Sequence, residues 1–208
     1  DEFGDPRELN IAGECPLTIK VDHAEVVTLM TLGTYPEKLT LGYLRNQRLI
    51  DDINEIAEVR VDWDRETVDV FTAHGDGIVD LHEKIAKRTV TSGCGQGTIF
   101  SCTLDKLYFV EDVGRHNATD TIAGEMWLQD IGGNDKIFYT TGRLTSEIVM
   151  KAAHMGVPIL ISRSGITHMG LELAQDLGVT LIARAKGRHF LVYNGEDTIQ
   201  YDEIPQRK

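Results

Sequence analysis

The second half of the sequence alternates short apolar runs with longer amphipathic stretches, and this rhythm constrains the fold more than any other feature. Strands are predicted at 106–110, 136–141, 158–162, 179–183 and 190–193, and helices at 117–128, 145–155 and 167–177, the first of them capped by Asn117. Gly156 and Gly178 are typical helix stops. Strands and helices that alternate through short loops predict βαβ units in a mostly parallel sheet, and hence an α/β fold.

The first half of the sequence is predicted to be rich in β-hairpins. Alternating residues predict strands at 17–21 and 26–30 around the turn Asp22-His23-Ala24, and a second hairpin at 59–70. Between them, Thr34-Tyr35-Pro36-Glu37 fits a capping box that opens a leucine-rich helix. A short helix is predicted from Ile78 to Ile85. Residues 1–90 are therefore predicted to be a β-rich portion that packs on an α/β core at 91–208, or to form one continuous domain with it.

The balance of charge argues against two classes of partner. The chain has 33 acidic and 21 basic residues, with a net charge of −12, whereas nucleic acids and anionic membrane surfaces attract basic faces. No apolar run approaches the roughly 20 residues of a membrane span, and there is no signal-peptide pattern. We therefore expect neither a nucleic-acid nor a membrane partner, although a local basic pocket is compatible with these numbers.

Arginines follow four of the predicted strands. They are Arg115, Arg143, Arg163 and Arg184, the last within Arg184-Ala185-Lys186-Gly187-Arg188. Ligands bind beyond the carboxyl ends of parallel strands, and three of these segments lead into helix N-termini, which favour anions. A single arginine is more often paired on a solvated surface, but four strand ends in register favour a phosphate-rich ligand at this edge.

Cys94 is the candidate reactive thiol. Three cysteines without paired spacing (Cys15, Cys94 and Cys102) indicate a reducing compartment rather than a disulfide scaffold. Glycines on both sides of Cys94, in the loop 91–97, favour an accessible position, and nearby cations would lower the pKa of its thiol. The alternative is a buried, inert cysteine, and this is the better prediction for Cys15 and Cys102.

Two other catalytic sites are poorly supported. A Cys–His hydrolase needs an oriented histidine base, and His116 has no dyad motif around it. His23-Ala24-Glu25 matches only half of the zinc-deaminase signature, and the other histidines form no pair at metal-ligand spacing. We therefore expect no zinc site.

Several sequence blocks together resemble one known family, the FdhD/NarQ formate dehydrogenase accessory sulfurtransferases. The similarity spans nearly the whole chain, and the 111–118 block is long enough to be specific. The matching blocks are 14–19, 91–95, Glu111-Asp112-Val113-Gly114-Arg115-His116-Asn117-Ala118, 140–143, 162–164 and 187–188 with Tyr193.

The resemblance implies a function. The family takes sulfur from a cysteine desulfurase as a persulfide on the loop cysteine, here Cys94. It delivers this sulfur to the molybdenum of the bis-molybdopterin guanine dinucleotide cofactor, which the catalytic subunit of formate dehydrogenase needs. The family's cofactor-binding stretch falls on Ile182, Ala183, Arg184, Ala185, Lys186, Gly187 and Arg188, to which the strand ends add Arg115, Arg143 and Arg163. Alanine at Arg184, Lys186 or Arg188 should weaken guanine-nucleotide binding by about 1–3 kcal/mol.

The resemblance also implies a cytoplasmic homodimer with a fold similar to the cytidine deaminases, without their zinc. That fold is a three-layer α/β/α structure with a mixed sheet. Two features depart from the family: Gly97 replaces the second cysteine of a C-x-x-C pair, and the connection from Gly97 to Asp105 is unusually short. Cys94 would therefore act alone. The alternative function is a non-catalytic chaperone that binds and inserts the cofactor.

Overall fold

The computed structural model describes residues 13–75, 77–78, 81, 95–101 and 105–203. This part of the chain contains four α-helices: α1 (Pro36–Asn46), α2 (Arg115–Leu128), α3 (Ser146–His154) and α4 (His168–Leu177). Its ten strands are β1 (Cys15–Val21), β2 (Ala24–Thr31), β3 (Ile56–Asp62), β4 (Thr67–Thr72), β5 (Gly95–Ser101), β6 (Lys106–Asp112), β7 (Lys136–Thr140), β8 (Ile159–Ser162), β9 (Thr180–Lys186) and β10 (His189–Asn194). The α/β class is confirmed.

The predicted hairpins form a four-stranded sheet in the order β2-β1-β4-β3, in which β1 and β4 are parallel. Asp22 and His23 adopt the left-handed conformation (φ 42° and 72°) that a tight hairpin turn requires. One face of the sheet packs on α1. The capping-box prediction is wrong, because Tyr35 precedes the helix without a side-chain cap, and Pro36, which has no N–H to satisfy, begins it.

The second sheet has six strands in the order β10-β9-β8-β7-β5-β6. β7, β8 and β9 are parallel, but β5 is antiparallel to both of its neighbours, so β6 points in the same direction as β7. The predicted loop at 91–97 is therefore wrong from Gly95 onward, where β5 begins. As a result, the start of β5 lies at the edge where β6, β7, β8 and β9 end.

The helices α2, α3 and α4 pack on one face of this sheet, around Phe138, Leu160 and Leu181. The opposite face carries the half-buried Tyr139 and Ile161. In the described part of the chain no helix covers that face, so the third layer of the expected α/β/α structure is not seen there. Instead, α1 packs on α2 and connects the two sheets. The expected boundary at residues 90/91 lies outside the described residues and stays a prediction.

Candidate functional site

The ends of β6, β7 and β8, which Arg115, Arg143 and Arg163 follow, lie at one edge of the six-stranded sheet. Gly95 is paired with Asp112 at the end of β6, and Thr140 at the end of β7 is paired with Ser162 at the end of β8. We call this the arginine edge: residues 95–97, 111–116, 140–144, 162–166 and 184.

Hydroxyl groups at the strand ends fix the loops of this edge. Thr140 Oγ1 donates to the Gln96 carbonyl (2.8 Å) and accepts from the Gly142 N–H (3.1 Å). Ser162 Oγ donates to the Gly142 carbonyl (2.6 Å) and accepts from the Ser164 N–H (2.9 Å). The backbone at the start of each loop is therefore fixed by hydrogen bonds, and the arginines of these loops are attached to an ordered backbone.

Arg115 is the buried member of the set. It is the first residue of α2, is only 7% exposed, and its side chain lies between Gly95 and Gly142. A Cβ on Gly95 would lie 2.5 Å from Arg115 Cβ, and one on Gly142 would lie 2.7 Å from Arg115 Cδ, so both positions require glycine. Burial lowers the pKa of Arg115, the nearby charge of Arg143 lowers it further, and Glu147 opposes the shift.

The other predicted cations are exposed. Those at 184–188 do not follow the end of a strand, although this was expected. Arg143, Arg163, Arg184, Lys186 and Arg188 all face solvent. The predicted strand end at residue 183 is wrong, because β9 continues to Lys186. Its pairing with β8 ends at Ile182, and the remainder forms a hairpin with β10 through Gly187 (φ 64°).

The residues of the predicted cofactor-binding stretch, 182–188, differ in their structural roles. Ala183 is fully buried, and Ile182 and Ala185 are half-buried, so these three contribute packing. Arg184 begins the protruding part: its φ of 52° places it in the left-handed region, and its N–H donates to the Ser164 carbonyl (2.7 Å). Arg184 thus belongs to both the arginine edge and the base of a hairpin, and Lys186 and Arg188 lie on the tip of that hairpin.

The prediction that Asn117 caps the helix is wrong. α2 begins two residues earlier, and Asn117 Nδ2 donates to Asp112 Oδ1 (2.9 Å) and to the Met30 carbonyl (2.6 Å). The buried Asp112 also accepts from Thr31 Oγ1 (2.5 Å), the Leu32 N–H and the Gly114 N–H. These two residues join the turn before α2 to the end of β2. This role of Asp112 was not predicted from the sequence, although its place at a strand end in the 111–118 block was a usable signal.

His116 belongs to a buried polar chain between α2 and α3. Its Nε2 lies 3.5 Å from Glu147 Oε2, and Lys151 Nζ lies 3.5 Å from Glu147 Oε1 and 2.8 Å from Asp120 Oδ2. Burial, then the charges of Lys151 and Arg115, lower the pKa of His116 to about 3. The imidazole is therefore neutral near pH 7, and it faces Glu147 on α3.

Two of the three cysteines, Cys94 and Cys102, lie outside the described residues. Cys15 is a free thiol at the start of β1 and is half-buried, less than predicted. His23 of the partial zinc motif packs edge-on against Phe71, with ring centroids 5.7 Å apart, on the four-stranded sheet. Among the described residues no three His, Cys, Asp or Glu side chains are grouped to hold a metal ion, and no helix is long and apolar enough to cross a membrane.

Comparisons with known proteins agree on one family. The model of the FdhD/NarQ family matches residues 12–106 and 99–200. The sulfur carrier protein FdhD of Geobacillus kaustophilus is 28% identical over 240 residues, covering 92% of this chain and 90% of that protein. Its counterpart in Sulfurisphaera tokodaii is 26% identical and covers 91% of each chain.

A solved structure is also similar. The crystal structure of a protein proposed to be a formate dehydrogenase accessory protein, from Desulfotalea psychrophila, has a TM-score of 0.75 and 26% identity, with 90% of both chains covered. The two segments of the family match meet at 99–106, where the sequence indicated a shortened connection. There β5 and β6 pair as far as Phe100 and Lys106, and the Ser101 N–H donates to the Asp105 carbonyl (3.0 Å).

Proposed function

Because this chain belongs to the FdhD/NarQ family, we propose that it is a sulfurtransferase that serves formate dehydrogenase. In this proposal Cys94 accepts sulfur from a cysteine desulfurase as a persulfide. The arginine edge holds the bis-molybdopterin guanine dinucleotide cofactor, which is the cargo, while the sulfur is passed to its molybdenum. The catalytic subunit of formate dehydrogenase then receives the sulfurated cofactor.

The observation that carries the proposal is the contact of Gly95 with Arg115. Consecutive Cα atoms are about 3.8 Å apart across a trans peptide, so the Cα of Cys94 must lie within that distance of Gly95 Cα. Gly95 packs directly on the first residue of α2. We propose that the thiol of the preceding residue, Cys94, acts at this same edge, where a positive field would favour a thiolate.

The geometry at position 97 supports a mechanism with one thiol. A Cβ on Gly97 would lie 3.1 Å from Ile122 Cδ1 and 3.2 Å from Phe138 Cζ, in the core beneath α2. A cysteine at this position would point into the core and away from solvent. We therefore propose that Cys94 holds and releases the sulfur without a second thiol in the loop.

The donor groups at the arginine edge suit the phosphates of the cargo. Arg143 and Arg163 are exposed in loops that precede helices, and Arg184, Lys186 and Arg188 extend from the adjacent hairpin. Arginine binds phosphate oxygens through paired N–H groups, and helix N-termini add unsatisfied N–H groups. Separately, we propose that the six-stranded sheet is similar to that of the cytidine deaminases. Its mixed strand order supports this similarity.

Mass spectrometry of the intact chain tests the sulfur step. After incubation with a cysteine desulfurase and cysteine, we expect Cys94 to gain about 32 Da, one sulfur atom, and to lose it on treatment with a reductant. Cys15, half-buried at the start of β1, is the internal control and should stay unmodified. An adduct on Cys15 alone, or no adduct, would favour the non-catalytic chaperone, for which the arginine edge is sufficient.

We also propose a cytoplasmic homodimer. The two edge strands of the six-stranded sheet present large apolar side chains to solvent, among them Phe109 (46% exposed) on β6 and Leu191 (50%) on β10. An edge strand also presents unpaired backbone groups that can pair with a second copy of the chain. Light scattering on the purified chain should give about twice the 23.2 kDa protomer mass. A protomer mass at micromolar concentration would contradict the dimer.

A further inference from the structure

We infer that Arg115, together with Arg143 and the N-terminus of α2, forms a buried receptor for a single phosphate group. This subsite, and not the exposed hairpin tip at 184–188, would provide most of the affinity for the cargo. The inference rests on the proposed function only for the identity of the larger ligand, because free phosphate would fit the same receptor.

The first argument is the burial of a cation with an unsatisfied donor. Arg115 is 7% exposed, yet its Nε has no hydrogen-bond partner among the described residues, and its guanidinium makes no ion pair there. Glu147, whose charge partly compensates that of Arg115, is shared with His116 and Lys151, each 3.5 Å away. Burying an unpaired charge is costly. An anion bound to the guanidinium would offset that cost.

The second argument is the N-terminus of α2. A helix begins with N–H groups that have no intrahelical partner and with a partial positive charge. α1 and α3 each carry a glutamate in the first turn, Glu37 and Glu147, and α4, which carries none, is capped by the side chain of Thr167. The 14-residue α2 has neither an acidic residue in its first turn nor a side-chain cap. Asp112 Oδ1 accepts from the Gly114 N–H and from Asn117 Nδ2, and its Oδ2 accepts from Thr31 Oγ1 on β2. The first turn of α2 therefore adds positive potential to the buried guanidinium.

The third argument is the pairing of two like charges. Arg143 leaves the end of β7 beside Gly142, whose missing side chain makes room for that of Arg115, and its charge is close enough to lower the pKa of Arg115. Two cations held together repel, and an anion between them would remove the repulsion. Arg184 and Arg188 are instead solvated, and exposed ionic contacts contribute little.

The experiment compares phosphate and guanosine diphosphate on the full chain, by calorimetry and thermal unfolding. Both ligands should raise the Tm of the wild type, since they bind only the folded state. Arg115→Met should lower the affinity for each by at least about tenfold, and its ligand-free Tm should equal or exceed that of the wild type, because an unpaired buried charge is removed. Arg143→Ala should weaken binding less. Because Arg184 and Arg188 are solvated, Arg184→Ala or Arg188→Ala should weaken it by no more than about threefold, which replaces the larger effect expected from the sequence alone.

The controls separate this inference from the proposed function. Arg60→Ala, an exposed arginine paired with Glu58 on β3, should leave both affinities unchanged. If Arg115→Met does not fold, Arg115→Lys keeps the charge but loses the planar donor set, and its affinity for phosphate should still fall several-fold.

Four outcomes are decisive. A lower Tm in Arg115→Met or Arg115→Lys with unchanged phosphate affinity would show that Arg115 is only structural and overturn the inference. Loss of guanosine diphosphate binding in the hairpin variants alone would reject the receptor but keep the cofactor role. Binding of phosphate but not of the nucleotide, lost in Arg115→Met, would keep the receptor and reject that role. A wild type that binds neither rejects both.

Discussion

Replacing Cys94 with alanine should abolish the activation of formate dehydrogenase, a loss of at least about 100-fold, because removal of an essential nucleophile leaves no alternative route. A hydroxyl cannot hold a sulfane sulfur, so Cys94→Ser should be equally inactive. The assay is formate oxidation in cells that lack the native chain and express each variant. Thermal unfolding should show a Tm within about 2 °C of the wild type, since the accessible position proposed for Cys94 would contribute little packing.

Cys15→Ala is the matched control for this experiment. Cys15 is a free, half-buried thiol at the start of β1, in the other sheet. Its replacement should leave activation intact, so a loss confined to position 94 would assign the function to one thiol. Full activation by Cys94→Ala would disprove the role assigned to it.

The same variant distinguishes transfer from chaperoning. The cations of the arginine edge are attached to β7, β8, β9 and α2, and none of their backbone contacts depends on a thiol. Cys94→Ala should therefore bind guanosine diphosphate with unchanged affinity. Retained binding with lost activation is the result expected of a sulfurtransferase, whereas a chaperone would retain both.

The regular part of the fold could be predicted because its signals are local. The strands β6, β7 and β8 and the helices between them follow from apolar runs and glycine stops, and their ends differ from prediction by one or two residues. β5 could not be predicted in this way. Gly95-Gln96-Gly97 favours a loop, since glycine is disfavoured in strands. It is a strand because β6 and β7 pair with it on both sides, and its glycines allow close contact with Arg115 and Ile122.

The sequence named the residues of the candidate site, but it did not show which of them are buried. The position of an arginine after a strand indicates the edge on which it lies, because strand direction fixes that edge. It does not indicate burial, which depends on residues distant in sequence: Gly142 makes room for the side chain of Arg115, while Arg184 has no such cover. For the same reason the pairing of Asn117 with Met30 across 87 positions could not be read from the sequence.

The second large effect is expected at the crossing of α1 and α2. A Cβ on Gly124 would lie 1.9 Å from the Lys38 carbonyl oxygen, and one on Gly42 would lie 1.7 Å from that of Asp120. Both obstacles are backbone atoms, so the helices would have to separate. Separation would also strain the hydrogen bond from Asn46 Nδ2 to Asp120 (2.8 Å), which is buried in the same crossing.

Gly124→Ala should therefore destabilise the chain by about 3 kcal/mol or more, the upper range for overpacking. The sign of the change in the free energy of unfolding is informative, because replacing glycine with alanine within an ordinary helix stabilises the protein by about 1 kcal/mol. Urea unfolding followed by circular dichroism measures the difference. Gly165→Ala is the control, since nothing lies within 4 Å of a Cβ there, and it should change stability by less than about 0.5 kcal/mol. A Gly124→Ala chain as stable as the wild type would mean that α1 can move on α2. In that case the contact between α1 and α2, which connects the two sheets, would not be what fixes the position of Arg115 at the start of α2.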